Sequence, residues 1–162
     1  MEVAIRQSVA PDAESIGALA AEFHSYLRAL GDEANFDWDA EKYLRDGFGE
    51  NSAFEGLVAE VDSRVVGYAL YHFGYDTDRG QRLIYLIDLY ISQSFRQAGI
   101  GEKLMQRISE TGRLRGAEYI IWSVLKGNAL AINFYEKLGA KYVDDVHFMW
   151  CPIKTNSSTS TG

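Results

Sequence analysis

The chain has 162 residues, 47% of them hydrophobic, and a formal net charge of −7 at pH 7. This length supports one well-packed core, so we expect a single domain over residues 1–153, followed by a low-complexity, disordered tail over residues 154–162. The acidic balance argues against a broad electrostatic contact with nucleic acid, which requires clustered lysine and arginine. It is compatible with cationic substrates.

The sequence gives no sign of a membrane segment or of a metal cluster. No N-terminal run combines a basic start with an apolar stretch, and no window reaches the roughly 18 apolar residues of a membrane span. We therefore expect a soluble, cytoplasmic protein. Cys151 is the single cysteine, which excludes an internal disulfide and a thiolate cluster. We expect Cys151 to be a half-buried strand residue and no metal to be bound.

The N-terminal part begins with a strand pattern and a long helix pattern. Residues 3–8 alternate as a short strand, and a helix opens at Pro11 and ends at Gly31. The polar and aromatic segment 32–52 contains a short helix pattern around residues 39–46. We interpret this segment as a partly irregular cover of the type that often forms one wall of a site.

Three strand patterns follow this cover. Residues 54–61 and 64–76 are β-rich runs joined by Asp62 and Ser63, which indicates a hairpin. Residues 82–92 form an almost unbroken apolar run. Such a run is typical of a central strand that is covered on both faces.

The C-terminal part alternates helix and strand patterns. It predicts a helix over 100–115, a strand over 117–125, a helix over 128–139 and two short strands within 140–153. The helix between strands 82–92 and 117–125 has the length of a parallel crossover. The order of elements predicts an α/β fold with a mixed, mostly antiparallel central sheet flanked by helices.

The stretch RQAGIG, residues 96–101, joins the apolar strand directly to the following helix. This junction places unpaired backbone N–H groups at the positive end of a helix dipole, which makes an anion cradle. Gly99 and Gly101 let a ligand approach the backbone, and Arg96 can add a charge-assisted hydrogen bond. The alternative is that Gly99 only eases a tight turn.

Two common phosphate motifs do not fit this loop. A dinucleotide fingerprint requires a third glycine where the chain has Leu104, and a P-loop requires Gly-Lys-Ser/Thr where it has Gly101, Glu102 and Lys103. Both motifs are therefore excluded.

The loop together with NALAINFYEKLGA, residues 128–140, resembles the acetyl-CoA-binding core of the GNAT superfamily of N-acyltransferases. The resemblance spans nearly the whole chain in element order, and it implies a central sheet with a splayed strand pair. Four further stretches are similar to the diamine (spermidine/spermine) acetyltransferase branch. They are LRDGFGE (44–50), LVAE (57–60), YHFGYD (71–76) and YLID (85–88).

The resemblance implies a role for each matched position. The loop backbone would bind the coenzyme A pyrophosphate, the end of strand 82–92 would pair with the pantetheine amides, and Asn128 would hold the pantetheine arm. Tyr135 would protonate the departing thiolate, although the alternative is an aromatic core contact. The implied cofactor-binding residues are Leu89, Tyr90, Ile91, Arg96, Gln97, Ala98, Gly99, Ile100, Gly101, Glu102 and Asn128.

The chain departs from the diamine branch at one position. Where that branch carries a Glu-Asp pair, this chain has Ile87 and Asp88. Asp88 is then the nearest matched carboxylate for the substrate amine, and a structural role at a strand bulge is an equal alternative. His72 can relay a proton, but a packed strand histidine is the more common case.

Two surfaces could surround the acceptor. The carboxylates Asp37, Asp76 and Asp78 could form an acidic mouth, although such residues usually only face solvent. The bulky residues Phe36, Trp38, Phe48 and Phe54 suggest a closed pocket.

These observations lead to three functional hypotheses. The first is direct transfer of an acetyl group from acetyl-CoA to a primary amine of a small cationic substrate, a polyamine or an amino-acid-like amine. In the second hypothesis the acceptor is a protein lysine or N-terminus. The third is a catalytically weak acyl-CoA-binding regulatory module, which a retained Tyr135 argues against. The resemblance further implies a homodimer and no partner of the nucleic-acid or membrane type.

Overall fold

A computed structural model describes residues 2–153, so the predicted disordered tail 154–162 lies outside the described residues. Within the described part, a sheet of five strands is combined with four α-helices and short 3-10 turns. The strands are β1 (Ala4–Gln7), β2 (Glu55–Val61), β3 (Arg64–Asp76), β4 (Gln81–Ile91) and β5 (Ala117–Ile121). The helices are α1 (Ala13–Ala29), α2 (Ala40–Gly47), α3 (Ile100–Leu114) and α4 (Ala129–Lys137).

The strands follow one another in chain order across the sheet, from β1 at one edge to β5 at the other. Neighbours are antiparallel except for β4 and β5, which are parallel and connected through α3. The predicted hairpin turn has positive φ angles at both Asp62 (48°) and Ser63 (61°), the geometry that matches the twist of paired strands. The predicted mixed, mostly antiparallel α/β fold is confirmed.

Helices cover both faces of the sheet. The α3 face is packed by Ile100, Leu104 and Ile108, and the α1 face by residues of α1 and α2 such as Ile16 and Tyr43. The central strands β2, β3 and β4 contribute side chains to both cores, which explains their nearly continuous apolar sequences. None of the helices in the range 2–153 is both long enough and apolar enough to cross a membrane.

A β-bulge interrupts the pairing of β3 with β4. Leu70 pairs with Asp88 and Tyr71 pairs with Leu86, so Ile87 is the extra residue on β4. The bulge resets the alternation of side chains. Leu86 packs in the core of the α3 face, whereas Tyr90, four residues later, packs in the core of the α1 face.

The two parallel strands separate just before the bulge. Their pairing ends at Tyr85 and Ile121, and from there to Ile91 strand β4 is paired with β3 only. The predicted strand 117–125 is therefore shorter than expected, because residues 122–125 diverge from β4 instead of pairing with it. This is the splayed strand pair that the resemblance implied.

The prediction of two strands within residues 140–153 is wrong. These residues form no strand, and residues 141–153, here called the C-terminal arm, are exposed, with Phe148 at 74%, Met149 at 92% and Trp150 at 89%. A strand requires a hydrogen-bonding partner, and no strand of residues 2–153 pairs with the arm. Cys151 is likewise exposed rather than half-buried.

Candidate active site

A cleft of about 870 Å³ opens where β4 and β5 separate. Its walls are the second half of β4, the loop into α3, residues 122–125 and the start of α4, with the end of α1 along one side. Of the predicted site residues, all except Ala98 line this cleft. They are Asp88, Leu89, Tyr90, Ile91, Arg96, Gln97, Gly99, Ile100, Gly101, Glu102, Asn128 and Tyr135.

The loop into α3 has the backbone geometry of an anion cradle. Gln97 and Gly99 have positive φ angles of 64° and 72°, and Gly99 is the N-cap of α3. The N–H of Lys103 donates a hydrogen bond to the Gly99 carbonyl. The N–H groups of residues 97–102 donate to no acceptor among the described residues 2–153. A Cβ at Gly99 would meet no atom within 4 Å, so a ligand can reach this backbone.

Gly101 has a packing role in addition to the one predicted from the sequence. A Cβ at this position would lie 3.0 Å from Cζ of Phe134 and 3.5 Å from Cδ1 of Ile91. The small residue therefore lets α3 pack closely against α4 and β4. The backbone at Gly99 is thus open, whereas Gly101 lies in a close packing contact.

Arg96 is fixed at the mouth of the cleft rather than free. Its Nε donates to the carbonyl of Ile91 over 3.0 Å, and its guanidinium lies 4.8 Å from the ring centre of Tyr26 and 5.2 Å from that of Tyr90. These contacts hold the end of β4 and the end of α1 together.

Asn128 is the N-cap of α4. Its Oδ1 accepts hydrogen bonds from the N–H of Ala131 (3.2 Å) and from the hydroxyl of Tyr26 (2.9 Å). The oxygen is therefore engaged in structure, and the side-chain NH₂ group is the part that can donate to a ligand.

Tyr135 is a half-buried residue of the cleft wall. Its ring packs against Trp122 and Phe134, with centroid distances of 4.6 and 5.1 Å. Burial, together with the negative charge of Asp88, raises the pKa of Tyr135 to about 12. The hydroxyl is therefore protonated at neutral pH and can act as a hydrogen-bond donor.

Asp88 lies on the cleft wall beside the bulge. Burial raises the pKa of this carboxyl group, and a hydrogen bond from the Tyr68 hydroxyl, 3.1 Å long, opposes that rise. Ile87, the residue before it, is 40% exposed and lines the same cleft. The cleft thus combines a carboxylate, a protonated phenol and an anion cradle.

Several residues considered from the sequence lie elsewhere. His72 stacks on Tyr85, and Asp76 is bound to Tyr119 and Arg79 at the far end of β3. The expectation that bulky residues form a closed pocket is wrong. Trp38, Phe48 and Phe54 pack around the buried Tyr43, and Phe36 stacks on His24.

Three further site residues were not singled out from the sequence. Tyr26 and Trp122 line the cleft, and Tyr68 contacts Asp88 from β3. Tyr68 and Trp122 lie within apolar runs and Tyr26 within a long helix pattern, and neither context gives a signal of a site. Their roles depend on contacts between distant parts of the chain.

Comparison with known proteins agrees with this geometry. The profile described as Acetyltransferase (GNAT) family matches residues 18–140. The chain belongs to the GNAT acetyltransferase family. The predicted acyltransferase activity class is thereby confirmed, as is the resemblance on which it was based.

Similar GNAT proteins include amine acetyltransferases. The thialysine N-epsilon-acetyltransferase of Bos taurus is 35% identical over 158 residues, covering 92% of this chain and 90% of the relative. Spermidine/spermine N(1)-acetyltransferase-like protein 1 of Homo sapiens is 35% identical over 108 residues, covering 62% of this chain and 15% of the relative. Both relatives lie in the branch indicated by the sequence.

A solved structure shows the same fold. The integron cassette protein VCH_CASS6 of V.cholerae superimposes with a TM-score of 0.75 at 24% identity, covering 96% of this chain and 94% of the other. At this identity the similarity concerns the fold alone.

Proposed function

We propose that this protein transfers an acetyl group directly from acetyl-CoA to a primary amine of a small cationic substrate. The observation that carries the proposal is the single cleft that joins the anion cradle of α3 to Asp88 and Tyr135. One relative named above acts, by its name, on thialysine, and the other is named for its similarity to a spermidine/spermine acetyltransferase. Thialysine, spermidine and spermine are small amines.

The donor would lie in the gap between β4 and β5. The cradle N–H groups of residues 97–102 suit its pyrophosphate, and the unpaired edge of Leu89, Tyr90 and Ile91 suits its pantetheine amides. Lys137 also lines the cleft and can pair with a phosphate. Acetyl-CoA supplies the activated acyl group as a thioester.

Asp88 is proposed to take the proton of the incoming amine. An alkyl ammonium has a pKa of about 10, as in lysine, and it must lose a proton before it can attack. A carboxylate whose pKa is raised by burial is a better acceptor for that proton than an exposed one. The nitrogen then forms a bond to the acyl carbon, and the C–S bond breaks with its electron pair passing to sulfur.

Tyr135 is proposed to stabilise the departing sulfur. A thiol has a pKa of about 8.5, so a phenol with a pKa of about 12 favours hydrogen-bond donation over complete proton transfer. The second proton of the attacking nitrogen balances the thiolate charge, and the products are the N-acetyl amine and free coenzyme A. Backbone N–H groups of β4 that face the cleft can stabilise the oxyanion.

The proposal includes a homodimer formed through the C-terminal arm. Val146, Phe148 and Trp150 alternate along one face of the arm in a strand pattern, yet the arm is exposed. The hydrogen bond of the arm that the structure records is local, from Cys151 to Pro152. An arm with this composition requires a partner surface.

The matching surface lies along β5. This strand is the edge of the described sheet, and a groove of about 420 Å³ runs beside it between α3 and the end of α4. Reciprocal addition of each arm to β5 of a second copy would pair both edges and fill both grooves. Trp122 and Glu102 line the groove as well as the cleft, so the partner's arm would support the wall of the active site.

The test of the activity is a panel of amines incubated with acetyl-CoA, with release of free thiol as the measurement. The panel contains thialysine, lysine, ornithine, spermidine and a lysine-containing peptide. Turnover of a small amine at least tenfold faster than the peptide is the expected result. Preference for the peptide would favour the protein-acceptor hypothesis, and acetyl-CoA binding without any turnover would favour a regulatory module. The cytoplasmic location expected from the sequence remains a prediction.

A further inference from the structure

Tyr68 is a buried polar residue for which the proposed mechanism has so far given no role. Its side chain is fully buried in the core of the α1 face. Its hydroxyl donates to Oδ2 of Asp88 over 3.1 Å. A buried hydroxyl in an apolar core is costly without a partner, and Asp88 is the partner that the structure provides.

The bulge in β4 creates this contact. In a regular strand without the bulge, with Ile87 paired in the ladder, the side chain of Asp88 would lie on the α3 face together with Ile84 and Leu86. With the bulge, Asp88 lies on the α1 face, where it is the Cα partner of Leu70 and a near neighbour of Tyr68. The bulge and the buried hydroxyl therefore act on the same carboxylate.

The groups around Asp88 leave Tyr68 as its hydrogen-bond donor. From α4, Tyr135 faces Asp88 and carries no charge at neutral pH. From β4, Tyr90 donates its hydroxyl to Glu22 of α1 instead. No lysine, arginine or histidine within residues 2–153 forms a salt bridge with Asp88.

We propose that Tyr68 is the positioning residue of the catalytic carboxylate: it fixes Oδ2 of Asp88 by hydrogen bonding and leaves Oδ1 to take the amine proton. This inference rests on the proposed function, because it assumes that Asp88 is the base. A donor to the ionised carboxylate also favours that form at neutral pH, in opposition to burial. Tyr68 thus keeps a buried base in its active protonation state.

The first test is the pH profile of kcat/KM for Tyr68→Phe. Loss of the donor raises the pKa of Asp88, so the acidic limb of the profile should move to higher pH by about one unit. The matched control is Tyr71→Phe. Tyr71 is fully buried on the same strand and hydrogen-bonds a carboxylate, Glu55, outside the cleft, so its acidic limb should stay in place.

The second test does not depend on activity. ¹³C NMR of the aspartate side-chain carboxyl groups, with Asp88→Asn used to assign the resonance, follows the titration of Asp88 directly. The apparent pKa of Asp88 should rise in Tyr68→Phe and stay constant in Tyr71→Phe. Equal titration of Asp88 in wild type and Tyr68→Phe would overturn the inference.

A third measurement tests the inference even if the Tyr68→Phe variant folds poorly. Site-specific 3-fluorotyrosine at position 68 keeps the shape of the side chain and makes its hydroxyl a stronger donor. It should lower the pKa of Asp88, the opposite direction to Tyr68→Phe, and an unchanged titration would contradict the proposal. The proposed function fails separately, if the wild-type protein releases no free thiol with any amine of the panel, and the role of Asp88 as base fails if Asp88→Asn acetylates amines at the wild-type rate.

Discussion

Ile87 stands where the diamine branch has a glutamate, and the structure shows what this exchange does. Ile87 is the extra residue of the bulge. It is 40% exposed, and its apolar side chain lines the cleft. An ammonium group placed against it would have no acceptor for its hydrogen bonds, which is unfavourable. We therefore expect the acceptor site to favour a singly charged amine over a polyamine whose second ammonium group would lie against this wall.

Substitution of Ile87 should change the choice of substrate. We expect Ile87→Glu to increase kcat/KM for spermidine relative to a singly charged amine by at least about tenfold, or 1.4 kcal/mol, because the carboxylate can pair with a second ammonium. Steady-state kinetics with both amines measures the ratio. Ile87→Gln is the control, because glutamine has nearly the size of glutamate and no charge. An equal increase of the kcat/KM ratio in Ile87→Gln would show that the effect comes from side-chain shape and not from charge.

Tyr135 should affect turnover more than binding. Tyr135→Phe retains the packing against Trp122 and Phe134 but removes the donor to the departing sulfur. We expect kcat to fall by about 10- to 1000-fold, while calorimetry shows nearly unchanged acetyl-CoA affinity. Tyr75→Phe, at an exposed position outside the cleft, should behave as wild type. An unchanged kcat for Tyr135→Phe would mean that Tyr135 is only a core residue.

The loop before α3 acts as one unit, and Gly99 is the place to test it. Gly99→Asp places a carboxylate among the cradle N–H groups and should weaken acetyl-CoA binding by at least about tenfold. Gly99→Asn is the matched control, because asparagine has nearly the same shape and tolerates the φ angle of 72°. Calorimetry that gives equal affinities for the two variants would exclude a phosphate at this loop.

A second element-level contact fixes the start of α1. Asp12 is buried, accepts two hydrogen bonds from Arg6 and one from the N–H of Val9, and Arg6 also contacts Glu60 of β2. Hydrogen bonding by Arg6 lowers the pKa of Asp12. The stabilisation is therefore complete above the unfolded-state pKa of about 3.9 and is lost as pH falls through the lower folded-state pKa.

Removal of this charge should destabilise the protein in a pH-dependent manner. We expect Asp12→Asn to lower the free energy of unfolding by about 1–3 kcal/mol at pH 7. The difference from wild type should shrink as the pH is lowered below 4. Urea unfolding at pH 7, 5 and 3 measures it, and a difference independent of pH would show that Asp12 does not act through its charge.

Sequence reasoning located the elements well and their exact contacts less well. The helix and hairpin patterns agree with the structure because they depend on neighbouring residues, as in the turn at Asp62 and Ser63. The resemblance suggested a strand bulge at Asp88, but the hydrophobic pattern could not show it, because the run around Ile87 is apolar on both faces and hides a change of register. The hydrogen-bond partner of Asp88 could not be predicted either, because Tyr68 lies on the neighbouring strand and contacts Asp88 only in the folded sheet.

At the scale of the whole molecule, the arm has a strand pattern, and no strand among the described residues 2–153 pairs with it. The sequence pattern therefore indicated the strand propensity of the arm, but it could not show whether a strand forms. Extended, the 13 residues of the arm reach up to about 45 Å, more than the length of β5. This reach is sufficient for addition to a second copy.

Disruption of the arm should separate the dimer. We expect sedimentation equilibrium to show a dimer for wild type, and Trp150→Asp to raise the dimer dissociation constant at least about tenfold, because a carboxylate cannot enter the apolar groove. Asp145→Asn, on the opposite face of the arm, should remain dimeric. A monomeric wild type at micromolar concentration would contradict the dimer.

A crosslink distinguishes exchange between copies from folding back within one copy. Cys151 is the sole native cysteine, so Glu118→Cys on β5 provides one defined partner thiol. Oxidation should produce a band of double mass on a non-reducing gel. An intramolecular disulfide, seen as a faster monomer band, would assign the arm to its own β5.

The location of β1 and β5 at opposite edges of the sheet has a practical consequence for the design of fusion proteins. A fluorescent protein or affinity tag fused ahead of β1 lies across the sheet from the groove. The same tag placed after the arm would be attached to the segment that we propose enters a second copy. Reporter fusions of this protein therefore belong at the N-terminal side.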